Sequence, residues 1–337
     1  MGKLYTDVGW VNWDYIMKQP ESFIPVVGPR GTGKTYGCFS WFIEHEKRFI
    51  YLRRLKTQLE ECRSKEGNPF KALNTDKDLD IQPYSNKSGA LVFRKDNKDG
   101  DPVAVGVALS VVANIRGIDY SDYDYIVFDE FIASENERPI KNEFQAFENF
   151  YETVNRNREL KGKPAVKCIM LGNANKISNP YFSAWKSMHL VLNMIRGRQM
   201  VWRSADRTRM IILLLDSPIS ARKAGTVLYQ NSDDFFKTMA LDNAFRTDET
   251  KIKSEPLKEF IHVVSIGEIG IYMHKAERRY YVSSTVCKQP YYDSFGISLK
   301  MFQQDYYMLR VYYMVNKNVT FESFENELLF REVFGLL

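Results

Sequence analysis

From Gly28 to Thr35 the sequence reads GPRGTGKT, which matches the spacing G-x-x-x-x-G-K-T. Small residues at Gly28, Gly31, Thr32 and Gly33 let successive backbone N–H groups turn inward around an anion, and a following helix adds its positive end. Lys34 is long enough to reach the β- and γ-phosphates of a nucleotide. The Thr35 hydroxyl suits a Mg²⁺ ligand, and Arg30 places a further cation in the loop. Such a loop needs a strand before it and a helix after it, and FIPVV (23–27) and TYGCFSWFIEHE (35–46) carry those patterns.

An acidic partner lies further along. In YIVFDE the largely apolar run Tyr125 to Phe128 reads as a buried strand, and Asp129 and Glu130 emerge at its carboxyl end, where open α/β sheets gather ligands. Asp129 suits Mg²⁺, and Glu130 can polarise an attacking water as general base. A small-molecule kinase does not need that glutamate, and a GTPase would carry an N-K-x-D motif that the sequence lacks. The pair therefore points to ATP hydrolysis of the additional-strand, catalytic-glutamate class. A third strand pattern, VKCIMLGN (166–173), ends in Asn173, whose amide is suited to sense a γ-phosphate. Cations that could meet charge on a transferring phosphoryl group are Arg30, Arg53, Arg54, Arg156 and Arg158, and the residues alone do not rank them.

The elements that must hold these groups read as an α/β domain. Strand-like runs at 23–27, 48–54, 90–94, 103–111, 125–131 and 166–173 alternate with helical patterns, and KDNKDGD (95–101) joins two of them as a hairpin. A helix is expected over Lys141–Leu160, with Phe144, Phe147, Phe150, Tyr151 and Val154 on its core face and Glu143, Glu148 and Glu152 on a solvated one. Arg196, Arg198, Arg203, Arg207 and Arg209 then crowd a stretch with one acid, Asp206, so a basic linker is expected over 195–230. This gives an ATPase domain over 1–194 and a smaller α+β domain over 231–337. The second domain has three short strands within 258–286 and helices near 298–316 and 321–335.

Composition narrows the partners. The chain has 337 residues, 44% of them apolar, and a formal charge of +5, which suits a polyanion without proving one. Four cysteines without CxxC spacing and four scattered histidines argue for reduced thiols and against structural zinc. No run reaches membrane-spanning length and the N-terminus does not read as a signal peptide, so no membrane partner is expected.

The ordered set GPRGTGKT, FIYLRRLK, LSVVANIRGIDYSDYDYIVFDEF, ETVNRNREL and CIMLGNANKISNPYF resembles the DNA-packaging (encapsidation) ATPases of phi29-like short-tailed bacteriophages, relatives of the large terminase ATPases. The resemblance covers roughly residues 20–185. It implies a terminase-like P-loop fold of the RecA type with a mostly parallel sheet, followed by a vestigial RNase H-like domain. It also implies ATP and Mg²⁺, a homomeric ring, usually a pentamer, and translocation of double-stranded DNA through a capsid portal in the host cytoplasm, in some cases with a scaffold RNA. By the same resemblance Lys34 and Thr35 are Walker A residues, Asp129 and Glu130 Walker B residues, and Asn173 the sensor. Arg156 falls at the trans-acting arginine finger, while Lys56 and Arg116 fall at basic positions that look like DNA or subunit contacts. FIHVVSI carries no interior acid, so nuclease activity is not expected. The rival readings are a cutting terminase, an AAA+ remodeller or helicase, and a nucleotide-binding capsid component that does not hydrolyse.

Overall fold

The computed structural model describes residues 3–85, 90–114, 120–134, 137–175, 177, 179–215, 217–223, 226–227, 252–316 and 318–336. The chain divides into two compact units, Met1–Ile177 with Leu190–Phe245, and Ser178–His189 with Arg246–Leu337.

The first unit is built on a nine-stranded sheet. Its strands are β1 (Phe23–Val27), β2 (Phe49–Arg53), β3 (Ile81–Ser85), β4 (Leu91–Lys95), β5 (Pro102–Ala108), β6 (Tyr125–Asp129), β7 (Lys167–Gly172), β8 (Val201–Arg203) and β9 (Met210–Leu213). They lie in the order β3-β4-β5-β2-β6-β7-β1-β9-β8. The run from β5 to β9 is parallel throughout, while β3, β4 and β8 close the edges with antiparallel pairs. Parallel strands covered on both faces read as continuous apolar runs, and this is why FIYL, IVF and CIML are buried along nearly their whole lengths. The strand that ends at Asn173, β7, lies between the strand of the phosphate loop, β1, and the strand of the Asp-Glu pair, β6. That inserted position is the additional strand expected of this ATPase class.

The helices that serve the site are α1 (Trp13–Met17), α2 (Lys34–Glu44), α3 (Lys56–Glu61), α4 (Lys71–Lys77) and α5 (Glu143–Asn155). Three more follow in the chain, α6 (Pro180–Ala184), α7 (Met188–Arg196) and α8 (Pro218–Lys223). Phe39 and Phe42 of α2 pack in tilted and edge-on contacts with Phe49, Tyr51 and Phe70 as an aromatic centre of the core.

Three expectations change. The stretch 195–230 is not a linker throughout, because Met210–Leu213 is fully buried and pairs in parallel with β1, and β8 folds back on it. The apolar run MIILLL outweighs the surrounding arginines because burying four large side chains gains more than solvating them as a loop. Second, α5 is shorter than 141–160 and ends at Asn155, where Arg156 leaves helical geometry with φ 43° and ψ −132°. Third, Glu143 is not on a solvated face. It is 4% exposed and takes a bidentate hydrogen-bond pair from the fully buried Arg54.

The second unit carries a five-stranded sheet in the order β13-β10-β11-β12-β14, from β10 (Phe260–Ile266), β11 (Ile269–His274), β12 (Tyr280–Ser283), β13 (Tyr291–Tyr292) and β14 (Val319–Phe321). The first three form an antiparallel meander, and β13 and β14 add parallel strands at its two edges. Helices over Gly296–Asp305 and Phe324–Val333 bring Phe302 and Phe330 onto Ile271, Val282 and Phe321. Among the described residues no group of three or more His, Cys, Asp or Glu side chains is placed to hold a metal ion.

Candidate nucleotide site

The phosphate loop leaves β1 at Gly28, whose N–H donates to the Gly172 carbonyl at the end of β7 (3.1 Å). Gly31 and Gly33 have φ of 70° and 82°, values that side-chain-bearing residues rarely adopt, and Gly33 then caps α2. The loop thus turns back on itself and aims the N-terminus of α2 into a cleft of about 430 Å³. Arg30, Gly31, Gly33, Lys34, Thr35, Asp129, Glu130 and Asn173 all line this cleft, together with Tyr36. Thr32 is buried and donates from its hydroxyl to the Pro29 carbonyl (3.1 Å), which braces the loop from within.

Lys34 reaches across this loop. Its Nζ donates to the Gly28 and Pro29 carbonyls (2.8 and 2.6 Å) and to Asn173 Oδ1 (3.2 Å). These three acceptors hold the ammonium at the mouth of the loop, where a phosphate oxygen could take the place of one of them. Thr35 Oγ1 donates to Asp129 Oδ1 (3.1 Å), which joins the two expected Mg²⁺ ligands directly. A hydroxyl and a carboxylate on rigid elements are hard oxygen donors, so the residues present fit Mg²⁺ with phosphate oxygens and water completing its shell.

The Walker B end is more heavily engaged. Asp129 is 7% exposed, and its carboxylate also accepts from Tyr51 Oη (3.3 Å) and Arg53 Nη1 (3.2 Å). Burial raises the Asp129 pKa and the nearby Glu130 adds to the rise, while Arg53, Thr35 and Tyr51 pull it back. Glu130 is half-exposed, stands at a left-handed φ of 55°, and accepts from Arg53 Nη2 at 2.5 Å. Burial disfavours the Arg53 charge, yet Tyr51 and the two carboxylates outweigh it and raise the Arg53 pKa further. One guanidinium therefore bridges both acids of the pair. In the sequence Arg53 was one of five candidate cations, and the signal for its place was its position at the carboxyl end of β2, beside β6.

The remaining residues fall elsewhere. Arg156 is exposed at the end of α5 and does not line this chain's cleft; its Nε donates to the Thr153 carbonyl (3.2 Å). Arg158 is committed to Asp124 and to the carbonyls of Pro164, Ser121 and Tyr123, so it serves the fold. Lys56 opens α3 on the surface, with its N–H on Ser110 Oγ (3.1 Å). Arg116 lies outside the described residues. Of the arginine cluster, Arg203 and Arg207 both bind the fully buried Glu21 just before β1 (2.5 and 2.7 Å), at the end of that strand away from the phosphate loop. These two ion pairs tie the β8–β9 hairpin to Glu21 before β1.

A family model described as podovirus DNA encapsidation protein (Gp16) matches residues 10–326. A DNA packaging protein of Bacillus phage phi29 is 35% identical over 162 residues, a match that covers 47% of this chain and 44% of the relative. This chain therefore matches less than half the length of that curated relative. Two solved structures share the fold. One, titled the Phi-28 gp11 DNA packaging motor, has a TM-score of 0.57 at 19% identity and covers 98% of this chain and 99% of its own. The other, titled the bacteriophage Phi-29 viral genome packaging motor assembly, has a TM-score of 0.57 at 23% identity and covers 96% and 99%. With the family model spanning nearly the whole chain around a phosphate loop, a strand inserted beside it and an Asp-Glu pair, the protein belongs to the podovirus DNA encapsidation (Gp16) family.

Proposed function

We propose that the chain is an ATP-driven motor subunit that moves double-stranded DNA into a preformed capsid. The observation that carries this reading is the convergence of Lys34, Thr35, Asp129, Glu130 and Asn173 on one cleft at the carboxyl ends of three neighbouring parallel strands. The naming of its relatives as DNA packaging proteins supplies the load. Lys34 and the backbone N–H groups of Gly31 to Thr35 would bind the phosphates, with Gly28 giving the loop its close turn. Thr35 and Asp129 would hold Mg²⁺, which neutralises charge on the β- and γ-phosphates when bound. Glu130 would take a proton from the attacking water, and Asn173, already hydrogen-bonded to Lys34, would report the loss of the γ-phosphate to β7. Arg53 engages only Oε2 of the half-exposed Glu130, so the second carboxylate oxygen can meet water while the guanidinium still bridges the two acids.

The subunit is read as part of a homomeric ring, a pentamer by its resemblance, docked at the portal in the host cytoplasm with or without a scaffold RNA. Arg156 is exposed and held in a strained backbone conformation outside its own cleft, which suits a cation offered to a neighbour's nucleotide. Mixing Arg156→Ala subunits with Lys34→Ala subunits is expected to restore part of the hydrolysis that each lacks alone, since hybrid interfaces pair an intact loop with an intact arginine. No recovery would place Arg156 in cis or in the fold. The second unit is read as a vestigial RNase H-like domain that serves docking or DNA grip.

DNA should be held through phosphates, with Lys56 and Arg116 the candidates, because a packaging motor runs over any sequence. The test is ATP turnover with and without double-stranded DNA at increasing salt. DNA is expected to stimulate turnover, and the stimulation to fall steeply as salt rises, about 10³–10⁵-fold in affinity between 50 and 200 mM for six to ten phosphate contacts. Turnover that ignores DNA would remove the motor reading and leave a DNA-independent ATPase.

A further inference from the structure

A tryptophan stands beside the phosphate loop with nothing in the proposed chemistry to explain it. Trp10 is 44% exposed, whereas its neighbour Trp13 is 5% exposed and packs onto α2 at Gly37. The six-membered ring of Trp10 lies against Gly33, so close that a Cβ on that glycine would meet Trp10 Cε3 at 2.9 Å. A large apolar ring therefore abuts the residue before the phosphate-binding lysine and keeps much of its surface in water. Leaving such a surface exposed costs transfer free energy unless something covers it.

The backbone that carries the ring is also anchored. Residues 6–10 form a closed turn in which Thr6 N–H donates to the Trp10 carbonyl (2.7 Å), Gly9 N–H to the Thr6 carbonyl (2.9 Å) and Trp10 N–H to Thr6 Oγ1 (3.1 Å). Gly9 makes the turn possible with φ +94° and presses so closely on Pro218, at the start of α8, that a Cβ there would sit 2.8 Å from it. Just before the turn, Tyr5 Oη donates to the Leu215 carbonyl (2.8 Å), which anchors the segment to the chain leaving β9. The backbone that carries the indole is thus anchored through Tyr5 and Gly9, and the ring itself lies against Gly33. A flat aromatic surface that adjoins a phosphate cradle and stands on an anchored backbone suits one occupant above others, the base of the nucleotide whose phosphates the cradle would hold.

We propose that Trp10 is the base platform of this site and stacks on the purine of the bound nucleoside triphosphate. The proposal rests on the nucleotide reading of the phosphate loop. It extends that reading from the phosphates, which every nucleotide shares, to the base. Stacking engages the π face of a base, so the contribution is to affinity and orientation, with little discrimination by base edge.

The test compares full-length wild type, Trp10→Ala and Trp10→Phe in equilibrium binding of Mg-ATP and of inorganic tripolyphosphate, which has the phosphates and no base. Trp10→Ala is expected to weaken ATP about tenfold, in the range of a single base–aromatic stack, while tripolyphosphate binds as in wild type. Trp10→Phe keeps a ring and is expected to recover most of the ATP affinity. Equal ATP affinity in wild type and Trp10→Ala would overturn the platform. So would an equal loss for ATP and tripolyphosphate, since that would mark Trp10 as a support for the loop. A wild type that binds tripolyphosphate as tightly as ATP also overturns the platform but leaves the phosphate site standing. Binding of neither removes the nucleotide reading and the platform together.

Discussion

Glu130→Gln is expected to bind Mg-ATP as wild type does and to lose turnover by about 10²–10⁴-fold, the usual contribution of a positioned general base. The substitution keeps the shape of the side chain and removes its negative charge and with it its capacity to take a proton. The binding groups are on other residues, with Lys34 on the loop carbonyls and Asn173, and Thr35 on Asp129, so nucleotide affinity has no reason to fall. The amide oxygen of the substituted side chain could still accept from Arg53, so the guanidinium bridge to Asp129 would keep its second arm. Single-turnover hydrolysis and equilibrium nucleotide binding, measured on the same preparation, check both halves. Turnover near the wild-type rate would take the general base away from Glu130. A joint loss of binding and turnover would point to damage at Asp129, one residue away.

Most of what places this site could be read before any coordinates. The phosphate loop, the strand ending in Asp-Glu and the strand ending in Asn173 each pair a buried apolar run with a polar terminus, a pattern strong enough to fix both the element and its chemical end. The strand order was not legible. That β7 inserts between β1 and β6 depends on which long-range pairings win, and periodicity does not encode this. The β8–β9 hairpin was obscured for a different reason. Five arginines in a short stretch suggested a solvated linker, while MIILLL within it carried the buried strand, and Arg203 and Arg207 turned out to face the buried Glu21. Sequence reveals charge but not its counter-charge when the partner lies some 180 residues away. The same blindness explains Glu143, whose spacing matched the solvated face of α5 until Arg54 was found opposite it. Trp10 gives no signal of its own in the sequence because Trp13 and Tyr15 follow it closely and all three read as core aromatics, and only its exposure beside Gly33 sets it apart.

Arg54→Ala is expected to destabilise the first unit by about 3–5 kcal/mol, the cost of breaking a buried ion pair by removing one partner. The Arg54 side chain is 1% exposed and the Glu143 side chain 3%, and their two hydrogen bonds of 2.7 and 2.8 Å are the parallel, bidentate kind. A second carboxylate, Glu137, meets the same guanidinium from the loop before α5. Arg54 directly follows Arg53, so the residue next to the one bridging Asp129 and Glu130 moors the first turn of α5 to the end of β2. Removing it strands a carboxylate in the interior, and the midpoint of thermal unfolding is expected to fall by roughly 6–20 °C at 2–4 °C per kcal/mol for a unit of this size. The double variant Arg54→Met, Glu143→Leu removes both charges and fills the space with apolar atoms, so it is expected to recover most of the loss. Calorimetry on the wild type, the single variant and the double variant checks the argument. A single variant as stable as wild type would mean that water reaches Glu143. A double variant no better than the single would mean that Arg54 stabilises the unit mainly through Glu137.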